Sequence, residues 1–313
     1  MTDNPTTLRL GTRTSALAMW QAEHVAASLR QSWPTLSVEL VPFVTQGDRM
    51  LDQPLPEIGG KGLFTAELES ALRKDEIDLA VHSLKDLPTE DPDGLVIGAI
   101  LERADPRDAW VCPEGYSLAE VPAGASVGTS SHRRASQILK HRPDLVVESI
   151  RGNVGTRIEK VRSGAYDAAV LAVAGLERLG RLSDAQEILD LEVMLPAPAQ
   201  GALAVQVRAD DKTVGPLVAA IDHATTRREV EAERYLLAAL GGGCSAPVAA
   251  LATESETHLR IQARVLSLDG HTCIDIDESV STEGVDLDNA ALALGEAAAH
   301  TARDHGADLL LRS

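Results

Sequence analysis

The sequence predicts an α/β protein of two similar lobes followed by a smaller α+β domain. Strand-like and helix-like segments alternate from Thr7 to Ile100, and the alternation begins again after Pro106. The last part of the chain changes to period-two alternation followed by an Ala-rich helix.

Thr7 to Leu10 reads as a short strand, and Ser15 caps an Ala-rich helix running to about Arg30, before Pro34. Val38 to Val44 is a strand, Gly62 to Arg73 a helix, Ile77 to His82 a buried strand and Leu95 to Ile100 another, giving a mostly parallel sheet. In the second lobe, strands are expected at Ala109 to Val111, Ser126 to Gly128, Leu145 to Ile150 and Ala168 to Ala172. Helices at Arg134 to Lys140 and Val154 to Arg162 lie between them. Glu102 to Arg107 and the Pro-rich Leu195 to Gly201 read as hinges, with a cleft expected between the lobes.

Ala202 to Arg208 is a strand whose natural home is back in the first lobe. A helix from Thr226 to Leu240 stops at Gly241-Gly242-Gly243. Leu259, Ile261, Ala263 and Val265 then alternate with polar residues, and the turn Leu268-Asp269-Gly270-His271 closes a hairpin with one buried face. A helix from about Asp286 to Asp304 completes the last domain. The expected domains are residues 1–101 with 202–220, residues 106–195, and residues 224–313.

Composition narrows the function. With 47 acidic against 29 basic residues and 3% aromatics, the chain lacks both the broad basic field and the stacking rings that nucleic-acid binding requires. No apolar run is long enough to span a membrane, and the N-terminus lacks the basic and apolar regions of a signal peptide, so a cytoplasmic location is expected. Cys112, Cys244 and Cys273 lie far apart without metal-ligand spacing, so no metal and no disulfide is expected. The net charge of -18 favours a monomer.

Against this acidic background, Ser131 to Arg162 carries eight Lys or Arg and three Asp or Glu. Guanidinium groups crowd together mainly where an anion neutralises them. Arg133 and Arg134 follow Gly128-Thr129-Ser130-Ser131, Arg151 follows a strand, Arg157 lies on the next helix, and Arg13 and Ser15 occupy the equivalent turn after the first strand. One such Arg is usually surface charge; repeated placement at strand-to-helix turns points to a site for a small polyanion.

Two further groups stand out. Val81 to Pro88 puts Lys85 and Asp86 at the carboxyl end of an apolar strand, where α/β sheets bind ligands and where a carboxylate can act as a general acid or stabilise a developing cation. The plainer reading is a solvated Lys-Asp pair in a turn. Gly241 to Cys244 presents a thiol on a glycine tether, although an isolated Cys is more often a small inert hydrophobe.

These segments resemble the porphobilinogen deaminase (hydroxymethylbilane synthase) family over nearly the full length. The matching motifs are Leu8 to Ala18, Gly59-Gly60-Lys61-Gly62-Leu63-Phe64, His82 to Pro88, Gly128 to Arg134, Arg151 to Arg157, Ala172 to Leu176, Gln200-Gly201-Ala202 and Gly242-Gly243-Cys244, in order. The resemblance implies two α/β domains like those of type 2 periplasmic binding proteins and a small third domain. It implies head-to-tail condensation of four porphobilinogen molecules, with loss of ammonia, into the linear tetrapyrrole hydroxymethylbilane. The chain grows on a dipyrromethane primer that motif position attaches to Cys244. Asp86 is implied as the catalytic group, stabilising the cation left when ammonia departs. Ser83, Lys85, Asp86, Thr129, Ser131, Arg133 and Arg134 are implied as cofactor holders. Arg13, Ser15, Arg151, Arg157 and Arg178 are implied as binders of substrate or growing chain, and Lys61 and Phe64 as members of a loop over the cleft. Two departures stand out: Ala199 occupies a place where many members have glycine, and Ser245-Ala246 follows the cysteine where others differ.

Two rivals remain at this stage. A non-catalytic two-lobed anion binder explains the arginines but not Cys244 or the third domain. A thiol-nucleophile transferase would need a base near Cys244, and no His lies close in sequence.

Overall fold

A computed structural model describes residues 7–45, 47, 65–241 and 246–311. Lys61, Phe64 and Cys244 lie outside the described residues, as does the start of the helix expected from Gly62. The described chain divides into two compact units, one of residues 7–45, 65–104 and 202–227, the other of residues 105–201 and 228–311.

The first unit is a five-stranded sheet with strand order β2-β1-β3-β10-β4. It comprises β1 (Thr7–Arg13), β2 (Ser37–Phe43), β3 (Leu79–Ser83), β4 (Leu95–Ile100) and, from far along the chain, β10 (Leu203–Arg208). β1 is parallel to β2 and β3, and β10 runs antiparallel between β3 and β4, so four strands share one direction. Leu8, Leu10, Leu79, Val81, Leu203 and Val205 meet Ala22, Val25, Ala26 and Leu29 of α1 (Ala16–Ser32), forming one core. Ser15 caps α1, its hydroxyl accepting from the Ala18 amide at 3.2 Å. A shorter helix, α2 (Ala66–Arg73), packs Leu68 and Leu72 with Ile77 and Ala80.

The second unit repeats this topology in β5 (Asp108–Val111), β6 (Ser126–Gly128), β7 (Val146–Glu148), β8 (Ala168–Ala172) and β9 (Glu187–Ile188), with order β7-β6-β8-β5-β9. β6, β7 and β8 are parallel, connected through α3 (His132–His141) and α4 (Val154–Arg162), and β5 lies antiparallel between β8 and β9. β5 and β10 are thus equivalents: each follows one of the expected hinges and enters its sheet as the single reversed strand. α5 (Val173–Arg178) continues directly from β8. In the first unit, α6 (Val214–Ala219) adds Val214, Leu217 and Val218 to the core.

The remaining elements are α7 (Ala224–Ala239), β11 (Val248–Glu254), β12 (His258–Leu266), β13 (Cys273–Ser281), α8 (Leu287–Asp304) and α9 (Ala307–Leu311). β12 and β13 form the expected hairpin; β11, which the alternation alone did not mark out, adds an antiparallel edge strand. The buried face of this sheet packs on Ala232 and Leu236 of α7 and on Ala291, Leu294, Ala298 and Ala302 of α8. α7 ends as its glycines dictate, with Gly241 at φ +67° and its amide bonded to the Ala238 carbonyl. The hairpin tip docks on α3: a Cβ at Gly270 would lie 2.5 Å from the Ser136 carbonyl oxygen.

α7 and α8 approach so closely at Gly295 that an added Cβ would lie 2.6 Å from the Ala232 carbonyl oxygen and 2.6 Å from the Tyr235 Cβ. Helix propensity favours Ala over Gly by about 1 kcal/mol, but separating two helix backbones costs about 1–3 kcal/mol. The clash should win: Gly295→Ala is expected to lower the urea midpoint of unfolding, and a raised midpoint would contradict this packing.

Candidate functional site

The parallel strands of each sheet end in turns that carry the residues singled out by the sequence. In the first unit β1 ends at Arg13, and Ser15 spends its hydroxyl on capping α1. β3 ends at Ser83, whose hydroxyl accepts a hydrogen bond from the buried Gln21 amide at 2.9 Å. A single 3-10 turn, Leu84–Asp86, follows. Leu84 is fully buried and its amide donates to the Ala202 carbonyl of the strap entering β10; Leu87 is buried as well. With both flanking leucines anchored, Lys85 is left half-buried and the Asp86 carboxylate is displayed to solvent. The register of β1 on β3 brings Arg13, Ser15, Ser83, Lys85 and Asp86 to one carboxyl edge.

His82 lies beneath that edge. Burial pushes its imidazole from an ordinary 6.5 down to about 4; the Gln206 side chain works against the shift and the Arg13 guanidinium adds to it. His82 is therefore neutral at pH 7.

In the second unit β6 ends at Gly128, where a Cβ would press to 2.9 Å from the Ile150 Cδ1, so the turns after β6 and β7 lie against each other. The Thr129 amide donates to the Glu148 carbonyl at 2.8 Å and the Ser130 hydroxyl to the Ile150 carbonyl at 2.8 Å. The Thr129 hydroxyl accepts from the Ser131 amide, and the Ser131 hydroxyl caps α3 by accepting from the Arg134 amide. Asn153 caps α4 in the same way, accepting from the Thr156 amide at 2.9 Å. Gly152 adopts φ +112°, and its carbonyl accepts from the Arg157 Nε at 2.8 Å while Arg151 receives Lys160 on its carbonyl. Arg178 closes α5; its Nη2 donates to the Gly201 carbonyl at 2.6 Å, and burial lowers its guanidinium to about 10, still charged at pH 7.

Arg133 and Arg134 are the most deeply set of these cations, 3% and 6% exposed. Both are held by Asp108, the first residue of β5 and itself wholly buried. Arg134 donates from Nε and Nη2 to Asp108 Oδ1, at 3.2 and 2.6 Å, and from Nη1 to the Val170 carbonyl at 3.0 Å. Arg133 Nη1 lies 2.8 Å from Asp108 Oδ2 and donates to the Leu195 carbonyl. The Gln200 side-chain amide donates to Asp108 Oδ1 at 2.9 Å. Desolvation and the neighbouring Arg134 charge lower the Arg133 pKa, with Asp108 opposing the shift.

Asp108 was not singled out from the sequence, although a charge opening the strand Asp108-Ala109-Trp110-Val111 was the available signal. Gln137, Glu233 and Arg264 were also missed. Each is buried and joins elements that the chain order keeps apart. Among the described residues no cluster of His, Cys, Asp and Glu could hold a metal ion, and no helix is long and apolar enough to cross a membrane.

The donor set of the second unit is hydroxyl and guanidinium groups at strand-end turns, which suits a ligand bearing several carboxylates. With an exposed carboxylate among cations at the sheet edge of the first unit, this is the equipment of an enzyme acting on acidic small molecules. The chain belongs to the porphobilinogen deaminase family: the family model "Porphobilinogen deaminase, dipyromethane cofactor binding domain" matches residues 8–215, and its "C-terminal domain" counterpart matches residues 227–304. The porphobilinogen deaminase of Xanthomonas euvesicatoria is 50% identical over 98% of this chain and 99% of that protein. Those of Moorella thermoacetica and Geobacter metallireducens are 51% and 46% identical, over 88% and 93% of this chain and 88% and 91% of theirs. Among solved structures, the methionine-binding protein MetQ superposes with a TM-score of 0.43 at 17% identity, covering 70% of this chain and 91% of that one.

Removing one partner of a buried ion pair leaves an uncompensated charge and costs about 3–5 kcal/mol. Asp108→Asn leaves two guanidiniums facing each other and is expected to destabilise the fold by at least that much in urea titrations; near-wild-type stability would show that the cluster is not a keystone.

The lowered His82 pKa also sets a pH dependence. The unfolded imidazole binds its proton near 6.5 and the folded one only near 4, so stability falls as pH drops through this window. The loss attributable to His82 is about 3 kcal/mol when complete. His141, lowered by burial and by Lys140 and Arg264, acts in the same direction. Urea titrations between pH 7 and 4 should therefore show a decline that His82→Gln reduces but does not abolish; an unchanged slope would contradict the assignment.

Proposed function

We propose that Asp86 carries the charge and proton chemistry in the condensation of four porphobilinogen molecules into hydroxymethylbilane, and that Cys244 anchors the dipyrromethane primer. The condensation is the activity of the family to which the chain belongs, and dipyrromethane is its cofactor. When bound, this group would supply the free pyrrole carbon that the first unit joins, each later unit joining the one before it. The non-catalytic binder is set aside, because the family match runs through both the cofactor-binding and C-terminal parts of the chain.

The observation that carries the catalytic reading is the exposed Asp86 carboxylate, held between two buried leucines at a sheet edge that also bears Arg13 and Lys85. In the substrate, whose amine is protonated, the bond between the exocyclic carbon and the ammonium nitrogen breaks, and the nitrogen leaves as neutral ammonia with the electron pair. The positive charge left on carbon spreads to the pyrrole nitrogen until that carbon bonds to a pyrrole carbon of the chain, which gives up its hydrogen as a proton. A carboxylate about 4 Å from such a cation stabilises it by about 1–4 kcal/mol, depending on how much water is excluded. Asp86 also accepts the pyrrole N–H and so orients the ring.

The acetate and propionate arms of the primer and of the growing chain need fixed donors. Ser83, Lys85, Thr129, Ser131, Arg133 and Arg134 are assigned to the primer, with Arg133 and Arg134 braced by Asp108. Arg13, Ser15, Arg151, Arg157 and Arg178 are assigned to incoming substrate and growing chain, and Lys61 and Phe64 to the covering loop. Because Ser15 and Ser131 already accept backbone amides, each hydroxyl keeps its proton to donate to a carboxylate. The acidic net charge supports a monomer, and the free thiols Cys112 and Cys273 suit the cytoplasm.

Asp86→Asn is expected to leave the thermal midpoint unchanged, since the side chain is exposed, while kcat falls at least about a hundredfold. Intact-mass measurement should find two pyrrole units on the wild-type protein and on Asp86→Asn supplied with primer, and none on Cys244→Ser. Substantial turnover by Asp86→Asn would reassign the catalytic group; an adduct retained by Cys244→Ser would move the attachment point.

A further inference from the structure

β11 is the edge strand of its sheet, so every second amide on its outer side needs an acceptor. Three acceptors from outside the sheet supply them. The Pro196 carbonyl takes the Ala250 amide at 3.0 Å, Glu233 Oε1 takes the Ala252 amide at 2.8 Å, and Glu229 Oε1 takes the Glu254 amide at 3.0 Å. Glu229 and Glu233 stand one turn apart on α7, so the helix lends the strand a short ladder of carboxylates.

Glu233 does more than cap an edge. It is wholly buried, and its second oxygen, Oε2, accepts the Ala199 amide at 2.6 Å. The φ of Ala199 is +62°, in the left-handed region that costs an alanine about 1 kcal/mol. Around it the connector 195–201 is bonded at nearly every residue. The Leu195 amide donates to Gln137 of α3, the Leu195 carbonyl accepts from Arg133, Pro196 bonds β11, and Gln200 bonds Asp108. One face of this connector is thus tied to the helix that bears Arg133 and Arg134. Glu233 ties it to α7, whose last residue, Ala239, precedes Cys244 by a short glycine-rich stretch.

We propose that Glu233 is a positioning residue for chain elongation: by gripping the strained Ala199 amide and the β11 edge with one carboxylate, it makes the connector and the helix leading to Cys244 a single piece. The inference rests on Cys244 as the primer's anchor. A carboxylate is needed because only two acceptor oxygens satisfy both amides; a glutamine would turn its NH2 toward one of them.

The test uses full-length, primer-loaded enzyme, with rates normalised to bound dipyrromethane. Glu233→Gln should lower kcat roughly tenfold to a hundredfold, leave KM nearly unchanged, and shift the intact-mass distribution of partly extended species. Adding Ala199→Gly, which adopts the left-handed conformation without help, should recover much of the loss. Glu229→Ala, which removes an edge cap but not the connector bond, should lower the thermal midpoint and leave kcat and the mass distribution as they are. Wild-type kcat per loaded Glu233→Gln enzyme, the same kinetic defect in Glu229→Ala, or no recovery with Ala199→Gly would each overturn the proposal. If Glu233→Gln does not fold, amide exchange on the unaltered holoenzyme decides: the Ala199 and Ala252 amides should open together, and fast exchange at Ala199 with protection at Ala252 would overturn it. Loss of the primer in Cys244→Ser is read separately, so failure of the anchor and failure of the positioning role are distinguishable.

Discussion

A single buried carboxylate organises the cationic half of this protein. Asp108 sits where β5 enters its sheet and receives Arg133, Arg134 and Gln200. Two guanidiniums at adjacent positions, each almost wholly out of water, would repel each other and forfeit their hydration without it. With it they become fixed charges, bonded also to the Leu195 and Val170 carbonyls and unable to swing toward solvent. Cations already in place need no ordering of long side chains when an anion binds, which is what the proposed role of Arg133 and Arg134 requires. Gln200 extends the same cluster into the connector, so the strand, the basic helix and the hinge share one electrostatic anchor.

The repeated topology explains why the functional residues lie so far apart in sequence. In each unit three parallel strands deliver their carboxyl ends to one edge, and a single reversed strand, β10 or β5, locks the sheet from the other side. Turns at such edges combine helix N-termini, capping hydroxyls and close backbone approaches, all favourable to anions. Asp86 owes its exposure to the same architecture, since the turn after β3 buries Leu84 and Leu87 and, of the two residues between them, leaves Lys85 half-buried and Asp86 exposed.

The C-terminal domain is bound to the second sheet by polar contacts as well as by apolar burial. Arg264 of β12 donates to the Gln137 side chain and to the Glu192 carbonyl, and Lys140 of α3 donates to Cys273 at 3.2 Å. Leu195 packs with Ala249 and Leu251 of β11. These contacts converge on α3, which bears Arg133 and Arg134, and on the connector.

Much of this was legible in the sequence. Alternation located most of the strands and the longer helices but not β9 or the short helices α5, α6 and α9; the glycine stop after α7 was visible, and the return of Ala202 to Arg208 to the first sheet followed from its place after the second connector. Arg13, Asp86 and the arginines of the basic segment were visible as charges at strand ends, because residue type and local period are properties of the chain itself. The β11 edge strand was missed because its buried run, Val248 to Ala252, carries no period-two signal until it is paired. What only the tertiary structure decided is which charges are spoken for. Asp108 with Arg133 and Arg134, and Glu233 with Ala199 and Ala252, are partners separated by dozens of residues. Their pairing is set by where the backbone brings buried groups that must be satisfied, and no local pattern records it.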